Sequence, residues 1–289
     1  NLADASESEL YLRKSVDSLR KSVLINPASP FAHFNLGKSL LNYELVSGER
    51  SSLFYDEFRK AALLTGENSQ IFNEAGRMLL SRWPELSASD RNFALRILGK
   101  TLARKNQEEI ARVLNTWELN VKDYDTIERI LPEDAQVYRQ YAQFLGGKSL
   151  SLEKRHAYFA RAELLDFKAA RDEFRLGELD ISLSRSHGAH AHFMRSFYLL
   201  SEIKFYQALC GEDSIRNQEF LELQKFLFLY IAKCRIEMKQ ERKNYINFLH
   251  RFISLETNPA KIDALDSYLK EQGVIPPEFS QDVTDLDRL

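Results

Sequence analysis

The chain has 289 residues, enough for one elongated array or two compact domains with a substantial core, and its 44% hydrophobic and 28% charged content excludes the apolar-poor composition of disorder. Gly 11 and Pro 7 are few for this length, which disfavours turn-rich β architectures and favours helix. With 40 basic against 42 acidic residues the formal charge is -2, so no overall field draws the chain to a phosphate backbone, and nucleic acid is not the expected partner.

The chain starts at Asn1 with a polar lead, Ala5 to Glu9, that runs directly into helix-favouring sequence. This reads as a processed or excised terminus and leaves cytoplasmic and periplasmic locations both open. An amphipathic helix is predicted over Leu10 to Asn26, where Pro27 stops it. A second follows Ser29, with Pro30 suited to a first helical turn and Phe31, Phe34, Leu36, Leu40 and Leu41 at helical spacing. Gly48 and the polar stretch Glu49 to Ser52 make a turn before a third helix, Leu53 to Leu64, closed by Thr65 to Asn68. Two further hairpins fit Ser69 to Lys105 and Gln107 to Leu131, with Ser89 and Asp90 capping an inner helix.

Small and aromatic residues recur at fixed offsets through this region. His33, Leu36, Gly37 and Leu40 on one helix precede Phe54, Phe58, Ala61 and Gly66 on the next. The first set returns as Phe72, Ala75, Gly76 and Leu79, and again as Tyr138, Tyr141, Ala142 and Leu145. The second set has counterparts in Ser15, Leu19, Ser22, Val23 and Pro27, and in Phe159, Ala162, Leu164, Leu165 and Asp166, after which Leu176-Gly177 opens another hairpin.

This pattern resembles the tetratricopeptide repeat, whose hairpin places an aromatic, Leu-Gly and an aromatic or Leu on its first helix. Its second helix carries small residues and an aromatic before a terminal Pro. Gly66 and Pro132 stand at equivalent ends 66 residues apart, close to twice that family's period of ~34 residues. The departures are His33 for the aromatic, Phe54 for a small residue, Gly66 and Phe167 for the terminal Pro, and Glu173 and Asp180 in apolar slots. The likeness is clearest over residues 10–180. It implies an all-α superhelix of about five hairpins over residues 1–185, the first one partial, in which small residues let paired helices approach closely. Aromatic-rich helices over 186–273 would pack on or extend the array, and an extended tail would occupy 274–289.

In that C-terminal part helices are predicted at His190 to Leu209, Ile215 to Met238, Glu241 to Leu255 and Pro259 to Gln272, with Gly211 and Gly273 as stops. Their aromatics, among them Phe193, Phe197, Phe205, Phe220, Tyr230, Phe248 and Phe252, are assigned to packing. The longest strongly apolar run, Phe226 to Ala232, is bracketed by Lys225 and Lys233 and falls far short of the ~20 residues that cross a bilayer. Cys210 and Cys234 make neither a disulfide framework nor a zinc site and read as buried, inert thiols.

His187, His190 and His192 form the chain's one sequence-local cluster of potential metal ligands. Side chains two apart on a helix diverge, and Gly188 suits a hairpin loop with surface histidines, so no metal site is assigned to them. No phosphate loop, nucleophile elbow or His-Glu-x-x-His motif is present, and the chain by itself is not expected to be an enzyme or to carry a cofactor. The acidic pairs Glu108-Glu109 and Asp172-Glu173 sit among Arg and Lys and read as solvated ion-pair networks. Lys233, Arg235, Lys239, Arg242 and Lys243 make the best positive patch, open to a helix-dipole reading or to an anion site.

The resemblance further implies that first helices line a concave surface. By register its contact candidates are Phe31, Phe34, Lys38, Gln70, Asn73, Arg77, Gln136, Arg139, Gln143, Arg171 and Phe174, whose amides and cations suit a peptide backbone or carboxylate. The other reading is that these positions are solvated or covered by the C-terminal helices. The expected function is a protein-interaction scaffold that binds a peptide or protein partner. Two alternatives stand beside it: the soluble repeat tail of a larger bacterial membrane enzyme of the glycan ligase or polymerase type, and an RNA-binding helical array using the Lys233 to Lys243 patch.

Overall fold

The computed structural model describes residues 2–48, 53–67, 69–147, 152–203 and 214–274, the side chains of 2–7 and 214–217 excepted. Among these residues the regular elements are helices and none is a strand. None of the described helices is long and apolar enough to cross a membrane. The chain divides into two compact units, Asn1–Tyr158 and Phe159–Leu289. Cys210, Phe205, Gly211 and the expected tail beyond Val274 lie outside the described residues.

The first unit contains α1 (Leu2–Ile25), α2 (Pro30–Ser47), α3 (Leu53–Leu64), α4 (Gln70–Leu80), α5 (Ala88–Leu102), α6 (Gln107–Asn120), α7 (Tyr124–Glu128) and α8 (Ala135–Gly146). Local chemistry sets the starts. Ser29 accepts from the Ala32 N–H at 3.2 Å and Pro30 fills the first turn of α2, while Ser69, Asn106 and Asp134 cap α4, α6 and α8 in the same way. The cap of α5 is Ser87, two residues before the expected Ser89-Asp90: its Oγ accepts from the Asp90 N–H at 3.2 Å and donates to Asp90 Oδ2 at 2.6 Å. Gly48 ends α2 at φ 74°, a left-handed conformation that suits glycine.

Consecutive helices pack in sequence, α1 on α2, α2 on α3, α3 on α4 and α4 on α5, and alternate helices also meet: α2 with α4, α4 with α6, and α6 with α8. The small residues decide how closely the pairs approach. A Cβ built on Gly37 would lie 2.9 Å from the Phe58 ring, and one on Gly76 would lie 2.6 Å from Ile97 Cγ2. In both pairs the occupied partner stands 21 residues further along the chain. Around these contacts Leu36, Leu40, Phe54, Phe58, Ala61, Phe72, Ala75, Leu79, Ala94 and Ile97 form one buried cluster. His33 fills the slot expected for an aromatic: its Nδ1 meets Glu57 Oε2 on α3 at 2.6 Å and its Nε2 meets the Pro27 carbonyl at 2.9 Å, which pins the α1–α2 turn to α3.

The long helix α9 (Leu152–Ser182) contains the boundary between the units. No hairpin break occurs at Phe167, and Leu176-Gly177 opens no new helix. The segment Asp166 to Arg175 has neither Gly nor Pro and is rich in helix formers, so nothing interrupts the helix. Tyr158, at the end of the first unit, packs edge-on against Tyr141 of α8 at 4.8 Å.

In the second unit the C-terminal half of α9 is followed by α10 (Ser186–Ser201), α11 (Ser214–Glu237), α12 (Ile246–Leu255) and α13 (Pro259–Glu271). Helix α10 begins at Ser186 and not at His190, because Gly188 is helical: the carboxylate of Asp180 occupies the space a Cβ there would need. Gly177 lies against Phe193 in the way Gly37 lies against Phe58. Phe167, Phe193, Leu200, Leu227 and Ile231 fill one cluster, and Phe228, Ile236, Leu249, Phe252 and Leu269 fill another.

Lys225, only 6% exposed, is held in this second core by Glu222 at 2.6 Å and Glu256 at 3.2 Å. Burial alone raises the Glu256 carboxyl, but the Asn258 N–H together with Lys225 and Lys261 outweighs it and holds the group below the usual carboxylate range. A carboxyl lowered on folding stabilises above its unfolded value and loses that contribution as pH falls through the folded one.

Two predictions test these packing claims. Gly76→Leu should destabilise the first unit by about 1–3 kcal/mol through overpacking, whereas Gly99→Ala, whose Cβ meets only ordinary contacts at 3.6 Å, should stabilise by about 0.5–1 kcal/mol. Chemical denaturation of the two variants reads both. Glu256→Gln should lose about 1–3 kcal/mol at pH 7. That gap should narrow as pH falls below about 4.3, where the native carboxyl begins to lose its charge advantage.

Candidate functional site

The eleven contact candidates fall into distinct environments. Phe34 is 6% exposed and lies 5.7 Å from the Phe58 ring, so it is core. Asn73 is also 6% exposed, and its Oδ1 accepts from Thr101 at 3.0 Å and Arg104 at 2.9 Å, tying α4 to the end of α5. Both are thereby removed from any contact surface. Phe31 is 66% exposed at the start of α2, and Lys38 stands one turn beyond Phe34 with its ammonium 5.6 Å from that ring. Gln70 is exposed and donates to Glu74 at 2.7 Å; Arg77 is half-buried, 4.0 Å from the same carboxylate, and its Nε has no hydrogen-bond partner.

Gln136, Arg139 and Gln143 all lie on α8. Gln136 is occupied, donating to the Lys105 carbonyl at 3.1 Å. Gln143 instead borders a groove of about 460 Å³ between α6 and α8. Gln107, Glu108, Ala111, Leu114 and Asn115 of α6 form one wall; Gln140, Gln143 and Phe144 of α8 form the other. The volume falls within the range of about 300–1,000 Å³ common for ligand sites.

The groove has an apolar bed in Ala111, Leu114 and Phe144, and amides in Gln107, Asn115, Gln140 and Gln143. Gln140 is the unusual member. Its Nε2 and its Oε1 are both buried and neither has a hydrogen-bond partner in the protein. Leaving such a group unsatisfied costs about 1–3 kcal/mol, and a leucine would fill the same space without that cost. The side chain lines the groove and leaves both its NH2 group and its carbonyl oxygen unmet within the protein.

Helix α6 positions its wall through local signals. Asn106 caps its first turn by accepting from the Glu109 N–H at 3.1 Å, and Ile110, Val113, Leu114 and Trp117 bury its inner stripe, with Trp117 Nε1 donating to the Asp123 carbonyl at 2.9 Å. Ala111 and Asn115 fall one position on from that stripe and face outward. On the other wall, Asp134 accepts from the N–H groups of Gln136 and Val137 and pairs with Lys105 at 2.6 Å. Burial raises that carboxyl, and these partners reverse the effect and lower it. Asp134 therefore stays charged at the positive end of α8 and fixes the helix start.

Arg171 and Phe174 lie in the second unit, where they share a smaller groove of about 320 Å³ with Phe167, Arg175, Glu178 and residues of α11. Arg171 stacks 5.9 Å from the Phe167 ring and lies 3.5 Å from Glu219, while Phe174 packs on Phe193 at 5.4 Å and Tyr230 at 5.6 Å. The cation and the ring are thus partnered within the unit.

The histidines do not converge. His187 is exposed. His190 is held below the usual histidine range first by burial and then by Arg235, and as a neutral ring its Nε2 accepts from Arg235 Nε at 3.1 Å. His192 turns the other way, to Glu173 at 2.7 Å and Asp180 at 3.8 Å. Among the described residues no group of three or more His, Cys, Asp or Glu side chains is arranged to hold a metal ion. Burial pushes the Cys234 thiol up to about 12, which keeps it protonated at neutral pH.

The positive patch disperses too. Arg235 is drawn inward, donating to His190 and to the Asn244 carbonyl with its guanidinium 4.7 Å from the Phe248 ring. Lys233 is half-buried, which leaves Lys239, Arg242 and Lys243 as the exposed cations of the set, with Lys243 paired to Glu241 at 2.6 Å.

Compared with known proteins, the chain matches no protein-family model and no curated protein.

The sequence reading reached the rim of the α6/α8 groove through Gln143 but missed Gln140, Phe144 and the α6 wall. Helix α6 carries no Leu-Gly signature, so no contact residue was assigned to it. The available signal was the amide ladder Gln136, Gln140 and Gln143, spaced to line one stripe of a helix.

If the inward turn of Arg235 is structural, Arg235→Ala should destabilise the second unit by about 1–3 kcal/mol by stranding the Asn244 carbonyl and stripping the Phe248 face. Thermal unfolding of the variant beside Arg242→Ala, which should change little, checks it.

Proposed function

We propose that the chain is a protein-interaction scaffold whose first unit is a tetratricopeptide-like stack binding an extended peptide segment in the α6/α8 groove. The succession of contacts supports the stack: neighbours pair through side-chain-free approaches at Gly37 and Gly76, and α2, α4, α6 and α8 meet in turn, as the first helices of successive hairpins would. In that arrangement the groove lies between the first helices of adjacent hairpins, on the surface that such stacks turn towards ligands.

The single observation that carries the binding claim is Gln140. An extended peptide leaves backbone N–H and C=O groups unpaired along both edges. A primary amide meets both at once, donating to a carbonyl and accepting from an N–H. Asn115 and Gln143 repeat that chemistry at the rim, and Phe144 and Leu114 give an apolar side chain of the peptide a place to sit. With uncharged amides as the main polar groups, the groove selects backbone before side-chain charge.

The test exploits the tension between stability and binding at Gln140. Gln140→Leu should raise the stability of the chain by about 1 kcal/mol while weakening binding to peptides from a random-sequence array at least about tenfold. Asn115→Ala should weaken binding with stability unchanged. Peptide binding that survives Gln140→Leu undiminished would remove the groove from the account.

A further inference from the structure

Among the described residues that line the α6/α8 groove, Glu108 alone is ionisable, and the other polar members are the uncharged amides of Gln107, Asn115, Gln140 and Gln143. Arg139, the one charged residue of α8, stands outside that lining. The Glu108 side chain is 82% exposed, and its ion-pair partner Arg112 lies 3.5 Å away while holding Glu109 more closely at 3.1 Å. Two carboxylates thus share one guanidinium, and the end of the groove at the start of α6 keeps a net negative charge.

Position along the helix places that charge relative to the apolar bed. Glu108 precedes Ala111 by three residues and Leu114 by six. At about 1.5 Å per residue, those offsets are about 4.5 and 9 Å along α6. Side chains on one edge of an extended peptide recur every second residue, about 6.6 Å apart, which falls between the two offsets. A side chain seated on the bed therefore brings the residue two positions away opposite the Glu108 carboxylate. A carboxylate in the first turn also suits the positive end of α6, and that contribution to stability needs no ligand.

Resting on the reading of the groove as a peptide site, we infer that its ligand carries an apolar side chain and, two positions away, a lysine or arginine, with Glu108 as the residue that selects the cation. The apolar group fills the bed of Ala111, Leu114 and Phe144. The cation meets the carboxylate at a rim open to water, where pairing removes little hydration and draws the peptide into register. An aspartate or glutamate at the same place meets a like charge, and no cation among the described lining residues answers it.

The experiment measures binding of three terminally blocked, dye-labelled peptides by fluorescence anisotropy. Each carries one leucine in an alternating serine and alanine chain, with lysine, glutamine or glutamate two positions from it. At low salt the lysine peptide should bind about threefold more tightly than the glutamine peptide and about tenfold more tightly than the glutamate peptide. That order should fade at high salt, collapse in Glu108→Gln and reverse in Glu108→Lys, with thermal unfolding run beside each variant to read the helix-end role separately. A lysine moved to the neighbouring position points to the opposite edge and should bind no better than glutamine, which tests the same claim on the unaltered chain. Equal affinity for the three peptides, or a lysine preference that persists in Glu108→Lys, would overturn the inference and leave the groove as a backbone-binding site. Failure of all three peptides to bind would remove the groove reading itself, and this inference with it.

Discussion

At three described glycines a large side chain of a neighbouring helix fills the space that a Cβ would need. Gly37 receives the face of Phe58, Gly76 receives Ile97, and in the second unit Gly177 receives Phe193. Each glycine sits inside a helix, where it costs about 0.5–1 kcal/mol of helix propensity relative to alanine. That loss is offset by a large side chain driven fully into the facing helix: Phe58 and Phe193 have no exposed surface, and burying such a side chain stabilises by about 1.5–3 kcal/mol. The helix-to-helix distance of each pair, and therefore the position of everything on its outer faces, depends on these vacated positions.

Polar groups then fix what the apolar contacts leave free. Ser29, Ser69, Ser87, Asn106 and Asp134 set the first residue of successive helices in the first unit, and His33 binds a turn to a neighbouring helix through Pro27 and Glu57. These capping groups are satisfied internally, whereas Gln140 leaves both of its buried amide atoms without a partner in the protein. Where Asn73 accepts from Thr101 of α5 and from Arg104 just beyond it, Gln140 keeps an amide NH2 and oxygen that the protein does not meet. Stability alone would favour a leucine there. Retaining an amide is intelligible if a ligand completes it, and this turns a packing irregularity into a functional argument.

Much of the fold was legible in the sequence because its signals are local. Pro27, Pro30 and Gly48 mark boundaries that hold, and the recurrent Leu36-Gly37, Ala75-Gly76 and Tyr141-Ala142 positions are interior. The reading failed where a repeat pattern was carried past the local chemistry. The run from Asp166 to Arg175 contains no breaker, so α9 continues through the hairpin expected there, and Gly188 is helical because it makes room for Asp180. The site was less legible. Register alone places Phe34 and Asn73 on the same helices as Lys38 and Gln70, yet a rotation of only about 40–60° separates core from surface, and the contacts to Phe58 and Thr101 show which side each takes. The α6 wall was invisible because it bears amides and no signature.

If each helix pair is held chiefly by its own close approach and by its immediate neighbours, stability in the first unit must be local rather than shared. Amide hydrogen exchange across a denaturant series measures this directly. The account predicts that amides of α2 and α3 open as one group and those of α4 and α5 as another, each at its own denaturant concentration below global unfolding. A single transition in which every protected amide from α1 to α8 is exposed together would show one undivided core and contradict it.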